Sequence, residues 1–182
     1  IGSLAEANGS VCGAVSSNLN LVNNIAVNGT CFVLNASNII LDGNGFTISG
    51  NATGIGFNIS KFANITVRNI TFFNFSIGGF IAEGGNHTIF NITINTTASD
   101  GIQVRSGSHG INISHAKFTN ISATDDAISF NTVHNNSIEW SVFRMTGSEA
   151  ITLHTSPNIN ITANTFIQTG GDAIIDIPAG VS

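Results

Sequence analysis

Gly110-Ile111-Asn112-Ile113-Ser114-His115-Ala116-Lys117-Phe118 is the stretch that decides the fold, because the chain writes its pattern again. Residues 135–143 read Asn-Asn-Ser-Ile-Glu-Trp-Ser-Val-Phe, and residues 158–166 read Asn-Ile-Asn-Ile-Thr-Ala-Asn-Thr-Phe. Working outward, segments opening at Asn18, Asn38, Asn64, Asn86, Gly110, Asn135 and Asn158 share this form, with separations of 20, 26, 22, 24, 25 and 23 positions. A second apolar column follows five residues after the first: Phe46, Phe72, Ile94, Phe118, Phe143 and Phe166. A third column joins a small residue to an apolar one: Cys31-Phe32, Gly54-Ile55, Gly79-Phe80, Gly101-Ile102, Ala127-Ile128, Ala150-Ile151 and Ala173-Ile174.

A period near 23 residues, with three short alternating strands per unit and turn residues between them, predicts a parallel β-helix. Each strand would pair with its equivalent one coil away at about 4.8 Å, so equal columns become stacked ladders, and about seven coils make a rod of roughly 30 to 35 Å. An immunoglobulin-like sandwich also has regular short strands, but it needs antiparallel hairpins and predicts no columns. The expected organisation is one all-β domain: a parallel β-helix over 11–182 behind an N-terminal tail, 1–10, available to a neighbouring subunit. The chain opens at Ile1 without Met, as expected of a processed product.

Composition narrows the function. Of 182 residues 42% are hydrophobic and only 8% charged, with a net charge of −5. That apolar content excludes a disordered acidic segment, and five scattered cations cannot track a phosphate backbone. No apolar run approaches the ~18 residues of a membrane-spanning helix. Asn, Ser and Thr, at 25, 19 and 18 copies, take the place of charge. Fifteen Asn head an Asn-x-Ser/Thr triplet: Asn8, Asn28, Asn35, Asn51, Asn58, Asn64, Asn69, Asn74, Asn86, Asn91, Asn95, Asn112, Asn120, Asn135 and Asn160. Chance placement of Ser and Thr would give about five, so a secreted, N-glycosylated protein is expected; a repeat rich in Asn-Ile-Thr generates the same triplets without sugar. Cys12 and Cys31 lie about one coil apart, and equivalent positions in adjacent coils fit a disulfide, which also points to an extracellular or cell-surface setting. Metal binding by two lone cysteines is the weaker reading.

Chemistry-bearing residues gather before the third strand, where Asp100, Asp126, Glu149 and Asp172 form a carboxylate column with Asp125 beside it. Stacked like charges must face water, hold raised pKa values or share a cation, so these four are also weak calcium candidates. Asp before Gly-Ile or Ala-Ile serves equally as a turn residue accepting backbone N–H bonds. His109 and His134 precede equivalent strands with no third ligand in their column, and His87, His115 and His154 lie elsewhere in the repeat. Neither Arg105 nor Arg144 stands beside the carboxylates on this reading. Sugar stacking usually draws on exposed Trp or Tyr; Tyr is absent and Trp140 is alone.

The string SNIILDGNGFTISG at residues 37–50, with INITANTFIQTGGDAIIDI later, resembles the right-handed parallel β-helix repeats of carbohydrate-binding and sugar-hydrolase proteins of the pectate-lyase-like superfamily. With Cys12-Gly13 and Gly29-Thr30-Cys31-Phe32 ahead of it, the chain is also similar to archaeal secreted surface glycoproteins of this type. Against polygalacturonase-type hydrolases, Ser99-Asp100-Gly101 resembles the Asn-Thr-Asp-Gly turn and Asp125-Asp126 the Asp-Asp element. The Gly-His-Gly and Arg-Ile-Lys elements have no counterpart: the next coil reads Gly147-Ser148-Glu149-Ala150, and no Lys follows Lys117. The expectation is therefore a non-enzymatic extracellular glycoprotein, a subunit of a filament or sheath stacked end to end. The alternative is a polysaccharide-active hydrolase or lyase using Asp100, Asp125 and Asp126, or a glycan-binding adhesin.

Overall fold

The computed structural model describes residues 7–144, 147–167 and 169–178. They form twenty strands, numbered in chain order, and no helix. One sheet of eight stacks β1 (Gly13–Val15), β4 (Phe32–Leu34), β7 (Ile55–Ser60), β9 (Ile77–Ala82), β11 (Ile102–Val104), β14 (Ile128–Asn131), β17 (Ile151–His154) and β20 (Ile174–Ile177) in that order. The other twelve strands form a second sheet. Its early members are β2 (Leu19–Asn20), β3 (Ile25–Ala26), β5 (Ile40–Asp42), β6 (Thr47–Ser49), β8 (Thr66–Phe75) and β10 (Thr88–Thr97). The later ones are β12 (Asn112–Ser114), β13 (Lys117–Thr119), β15 (Asn136–Glu139), β16 (Val142–Arg144), β18 (Ile159–Thr162) and β19 (Thr165–Ile167). Every strand pairing is parallel and joins equivalents in successive coils, the arrangement the repeat predicts.

Alternation of side chains sends one set of columns inward. Val67, Ile89, Ile113 and Ile138 stack in register and are fully buried. In the next column the rings of Phe118 and Phe143 lie 5.0 Å apart and nearly parallel, and Phe166 continues the stack at 5.0 Å. A row of such stacked rings contributes area burial together with offset π contact.

Corners between the two halves of the large sheet are single residues in the left-handed region: Asn69, Asn91, His115, Trp140 and Ala163, with φ between 49° and 55°. Asparagine tolerates this conformation because its amide can bond locally. Here the amides also bond one another, Asn91 Nδ2 donating to Asn69 Oδ1 at 2.9 Å; at neighbouring corners Asn64 donates to Asn38 and Asn120 to Asn95. Several of the Asn-x-Thr triplets are thus corner asparagines followed by a strand.

Four early positions depart from the expected columns. Leu19, not Leu21, pairs with Leu41, and Ile48, not Phe46, pairs with Phe72. The Gly43-Asn44-Gly45 turn inserts two residues in that coil, with Asn44 and Gly45 both at positive φ. In the small-residue column Gly56-Phe57 replaces Gly54-Ile55, and Gly78-Gly79 replaces Gly79-Phe80. Packing explains this last slip: Gly79 faces the core without a side chain because the Phe57 ring fills its place, and a Cβ there would stand 2.3 Å from Phe57 Cζ.

Cys12 and Cys31 occupy this small column in adjacent coils and are bonded, with Cα atoms 4.6 Å apart. Of the proposed tail, residues 1–6 lie outside the described residues. Residues 7–10 fold onto their own first coil, Ala7 N–H donating to Ala14 O and Val22 N–H to Gly9 O. Among the described residues no helix is long and apolar enough to cross a membrane.

Candidate functional site

The turn entering the eight-stranded sheet carries the carboxylates in the order expected. Backbone bonds from Gly101 N–H to Asp126 O, Ala127 N–H to Glu149 O and Ala150 N–H to Asp172 O place Asp100, Asp126, Glu149 and Asp172 at equivalent positions of four coils. Their environments differ. Asp100 is 7% exposed; its Oδ1 accepts the Asp126 N–H at 2.9 Å and its Oδ2 the Gln103 amide at 2.8 Å. Asp172, in the last described coil, is exposed.

Burial raises the Asp100 carboxyl above the ordinary range; the Asp126 N–H and Gln103 oppose it, the Asp125 charge adds to it and Arg105 offsets it. Arg105 is therefore within electrostatic reach of the column, a correction to the sequence reading. Asp126 is pushed up to about 6, first by burial and then by the charges of Asp100 and Glu149 and its hydrogen bond with Glu149. The Thr152 hydroxyl beside it favours the ionised form, and that buried hydroxyl has no partner in full hydrogen-bond geometry. Glu149 moves the other way. The Ser148 hydroxyl donates to its Oε2 and Asp126 bonds it as well, holding Glu149 below the usual carboxylate range. Two carboxyl groups one coil apart thus bond each other, and such a close pair holds one proton between its members more readily than it ionises twice.

Asp125 stands beside the column rather than in it. Its Oδ1 accepts from Ser99 at 3.2 Å and its Oδ2 from Ser122 and Thr124, both at 2.9 Å. Among the described residues no three His, Cys, Asp or Glu side chains converge as a metal site. His109 and His134 stack with rings 5.7 Å apart and 10° from parallel, as their column position predicts.

Sequence reasoning missed Gln103 and Thr152. Both occupy an outward column of the eight-stranded sheet, Gln103, Ser129 and Thr152, three residues after each carboxylate. That fixed offset was the available signal. A concavity of about 460 Å³ lies at the disulfide end against Cys12, Val27, Thr30 and Asn58, away from the carboxylate column.

No family model matches the chain, and no curated protein matches its sequence. Among solved structures, a double mutant of the tailspike protein of E. coli bacteriophage HK620 aligns at TM-score 0.66 and 14% identity, covering 93% of this chain and 37% of that one. The catalytic domain of a GH87 α-1,3-glucanase in complex with tetrasaccharides aligns at TM-score 0.57 and 17% identity, covering 93% and 41%. An alginate lyase from Paenibacillus sp. str. FPU-7 gives TM-score 0.49 and 12% identity over 86% and 75%. The chain spans about two fifths of the length of the tailspike and glucanase chains. At these identities the likeness is one of fold, and the chain is a right-handed parallel β-helix similar in architecture to a tailspike and a glucanase.

Proposed function

We propose that the chain is a polysaccharide-active β-helix that cleaves glycosidic bonds at the carboxylate column. One observation carries this reading: Asp126 and Glu149 hydrogen-bond each other at equivalent turn positions of successive coils, beside the buried Asp100. In the step proposed, the hydrogen-bonded Asp126–Glu149 pair gives the proton it shares to the glycosidic oxygen as the bond to the anomeric carbon breaks; water bonds to that carbon, and the proton the water loses restores the pair. Asp100, fixed by Gln103 and the Asp126 N–H, adds to the field that raises the proton affinity of Asp126. The shared architecture with a glucanase supports the choice of substrate class, and the disulfide supports an extracellular setting.

The test is release of reducing ends from a panel of acidic and neutral polysaccharides by the wild type, Asp126→Asn, Glu149→Gln and Asp172→Asn. Loss of at least a hundredfold in the first two variants, with Asp172→Asn unchanged, is expected for an acid and base pair. Activity surviving in Asp126→Asn, or absent throughout the panel, removes the reading.

A further inference from the structure

Phe90, His115 and Trp140 share the outside of the large sheet at the corner between its halves, on successive coils, in a different sheet from the strands that the carboxylate column enters. Phe90 is 38% exposed and packs its ring 5.2 Å from that of His115. One coil further Trp140 occupies the same corner position as His115 and is 62% exposed. Its φ of 52° is a conformation that bulky side chains rarely adopt. The two preceding corners in this column hold Asn91 and Asn69, residues the geometry favours.

The strained corner is braced from beneath. Asn164 Nδ2 donates to Ile138 O at 2.8 Å while its Oδ1 accepts the Ser141 N–H at 2.8 Å, and the buried Ser141 hydroxyl donates to Glu139 O at 3.0 Å. An exposed indole held rigidly in an unfavourable backbone conformation is a feature that packing alone does not require. The following corner is Ala163, so the chain places only a methyl group beside the indole there.

Charge distinguishes the same face. Of the five cations, Lys61 pairs with Glu83 and Arg68 with Asp42. Lys117 and Arg144, on adjacent β13 and β16 just past the corner, are exposed and make no ion pair among the described residues. Glu139, half-buried on the strand before Trp140, supplies an acceptor for hydroxyl groups. Flat apolar faces, two free cations and an acceptor suit a sugar chain bearing carboxylates.

We propose that Phe90, His115 and Trp140, with Lys117 and Arg144, form a surface site for a linear uronate-containing polysaccharide, separate from the carboxylate column. The glycan class rests on the proposed function; the location rests on the corner itself. Trp140 is the only Trp and the chain has no Tyr, so its fluorescence reports the site directly. Oligogalacturonate and oligoalginate are titrated against the wild type, with a neutral oligoglucan as control, by fluorescence and calorimetry. A shift in emission with at least one uronate oligomer is expected, with affinity falling as salt rises and with weaker binding of the glucan. Trp140→Asn places a favoured corner residue, so its melting temperature should match or exceed that of the wild type while calorimetric affinity falls about tenfold. Lys117→Gln combined with Arg144→Gln should weaken uronate binding by a similar factor.

The proposal is overturned if neither uronate oligomer binds, if the glucan binds as tightly, or if Trp140→Asn keeps its affinity or melts several degrees lower. Fluorescence reads Trp140 alone, and release of reducing ends reads the carboxylate column. Hydrolysis failing with the titration intact therefore removes only the proposed cleavage, and the converse removes only this site.

Discussion

Replacing Gly79 with Ile would restore the column that the sequence pattern suggests, yet it should destabilise the protein. A Cβ at Gly79 would lie 2.3 Å from Phe57 Cζ and 2.5 Å from Cε1, against about 3.5–4.0 Å for relaxed carbon contacts. The ring would have to retreat by more than ~1 Å. Phe57 is fully buried and packs 5.4 Å from Phe72, so it has nowhere to go. Overpacking of this kind costs about 1–3 kcal/mol, and the three carbons beyond Cβ favour the upper end. Phe57→Ala alone should cost about 3–5 kcal/mol through lost burial and a cavity. Combined, the isoleucine grows into the space the ring vacated. The double variant should then be more stable than the sum of the single effects by about 3 kcal/mol. Urea unfolding followed by circular dichroism, with a second probe to check two-state behaviour, reads all four corners of the cycle. Additivity within about 0.5 kcal/mol, or a Gly79→Ile variant as stable as the wild type, would refute the packing argument.

His87 is 1% exposed and accepts the Ile65 N–H on Nδ1, which requires the neutral ring; burial, with the charge of His109 second, lowers its pKa from 6.5 to about 4. The unfolded chain therefore binds more protons between those values, so stability is full above pH 6.5 and declines on acidification to about pH 4, by at most about 3 kcal/mol. Asp126, raised to about 6, acts oppositely as pH falls, so the comparison is with His87→Asn, whose unfolding curves should lose part of the acid sensitivity; equal pH slopes would count against the assignment. Removing the disulfide by Cys12→Ser with Cys31→Ser frees a loop of 19 positions and should cost about 3 kcal/mol in thermal or urea unfolding, an unchanged midpoint being the contrary result. In a eukaryotic secretory host, glycopeptide mapping should find sugar at Asn112 and Asn160, exposed on strands, and little at Asn64, Asn91 and Asn120, whose Nδ2 atoms donate in ladders; the reverse distribution would show that the ladders do not govern occupancy.

The fold was legible because period and register are properties of the chain alone: Phe118, Phe143 and Phe166 stack where their spacing puts them. It was misread only where coil length changes, at the Gly43-Asn44-Gly45 turn and at Gly78-Gly79, since a missing side chain filled by the ring of another coil leaves no mark in a column. The carboxylate column was legible for the same reason as the core. The pairing of Asp126 with Glu149 and its supports were not, because they come from burial and from Ser148 and Thr152, whose roles depend on three-dimensional neighbours. Trp140 looked solitary because His115 and Phe90, which share its face, are one and two coils away in sequence.

From the third coil onward the single-residue corner holds the advance between inward columns constant. It is five positions from Val67 to Phe72, from Ile113 to Phe118 and from Ile138 to Phe143. Variation falls elsewhere: the chain advances 8 positions from Ile94 to Ile102 but 10 from Phe118 to Ile128. The longer excursion contains Asp125 and Asp126. Insertions at the corner would break both the aromatic stack and the asparagine ladder, whereas insertions ahead of the eight-stranded sheet disturb neither. The architecture therefore leaves coil length free on the wall carrying the carboxylates, where new loops could reshape a cleft without unmaking the rod.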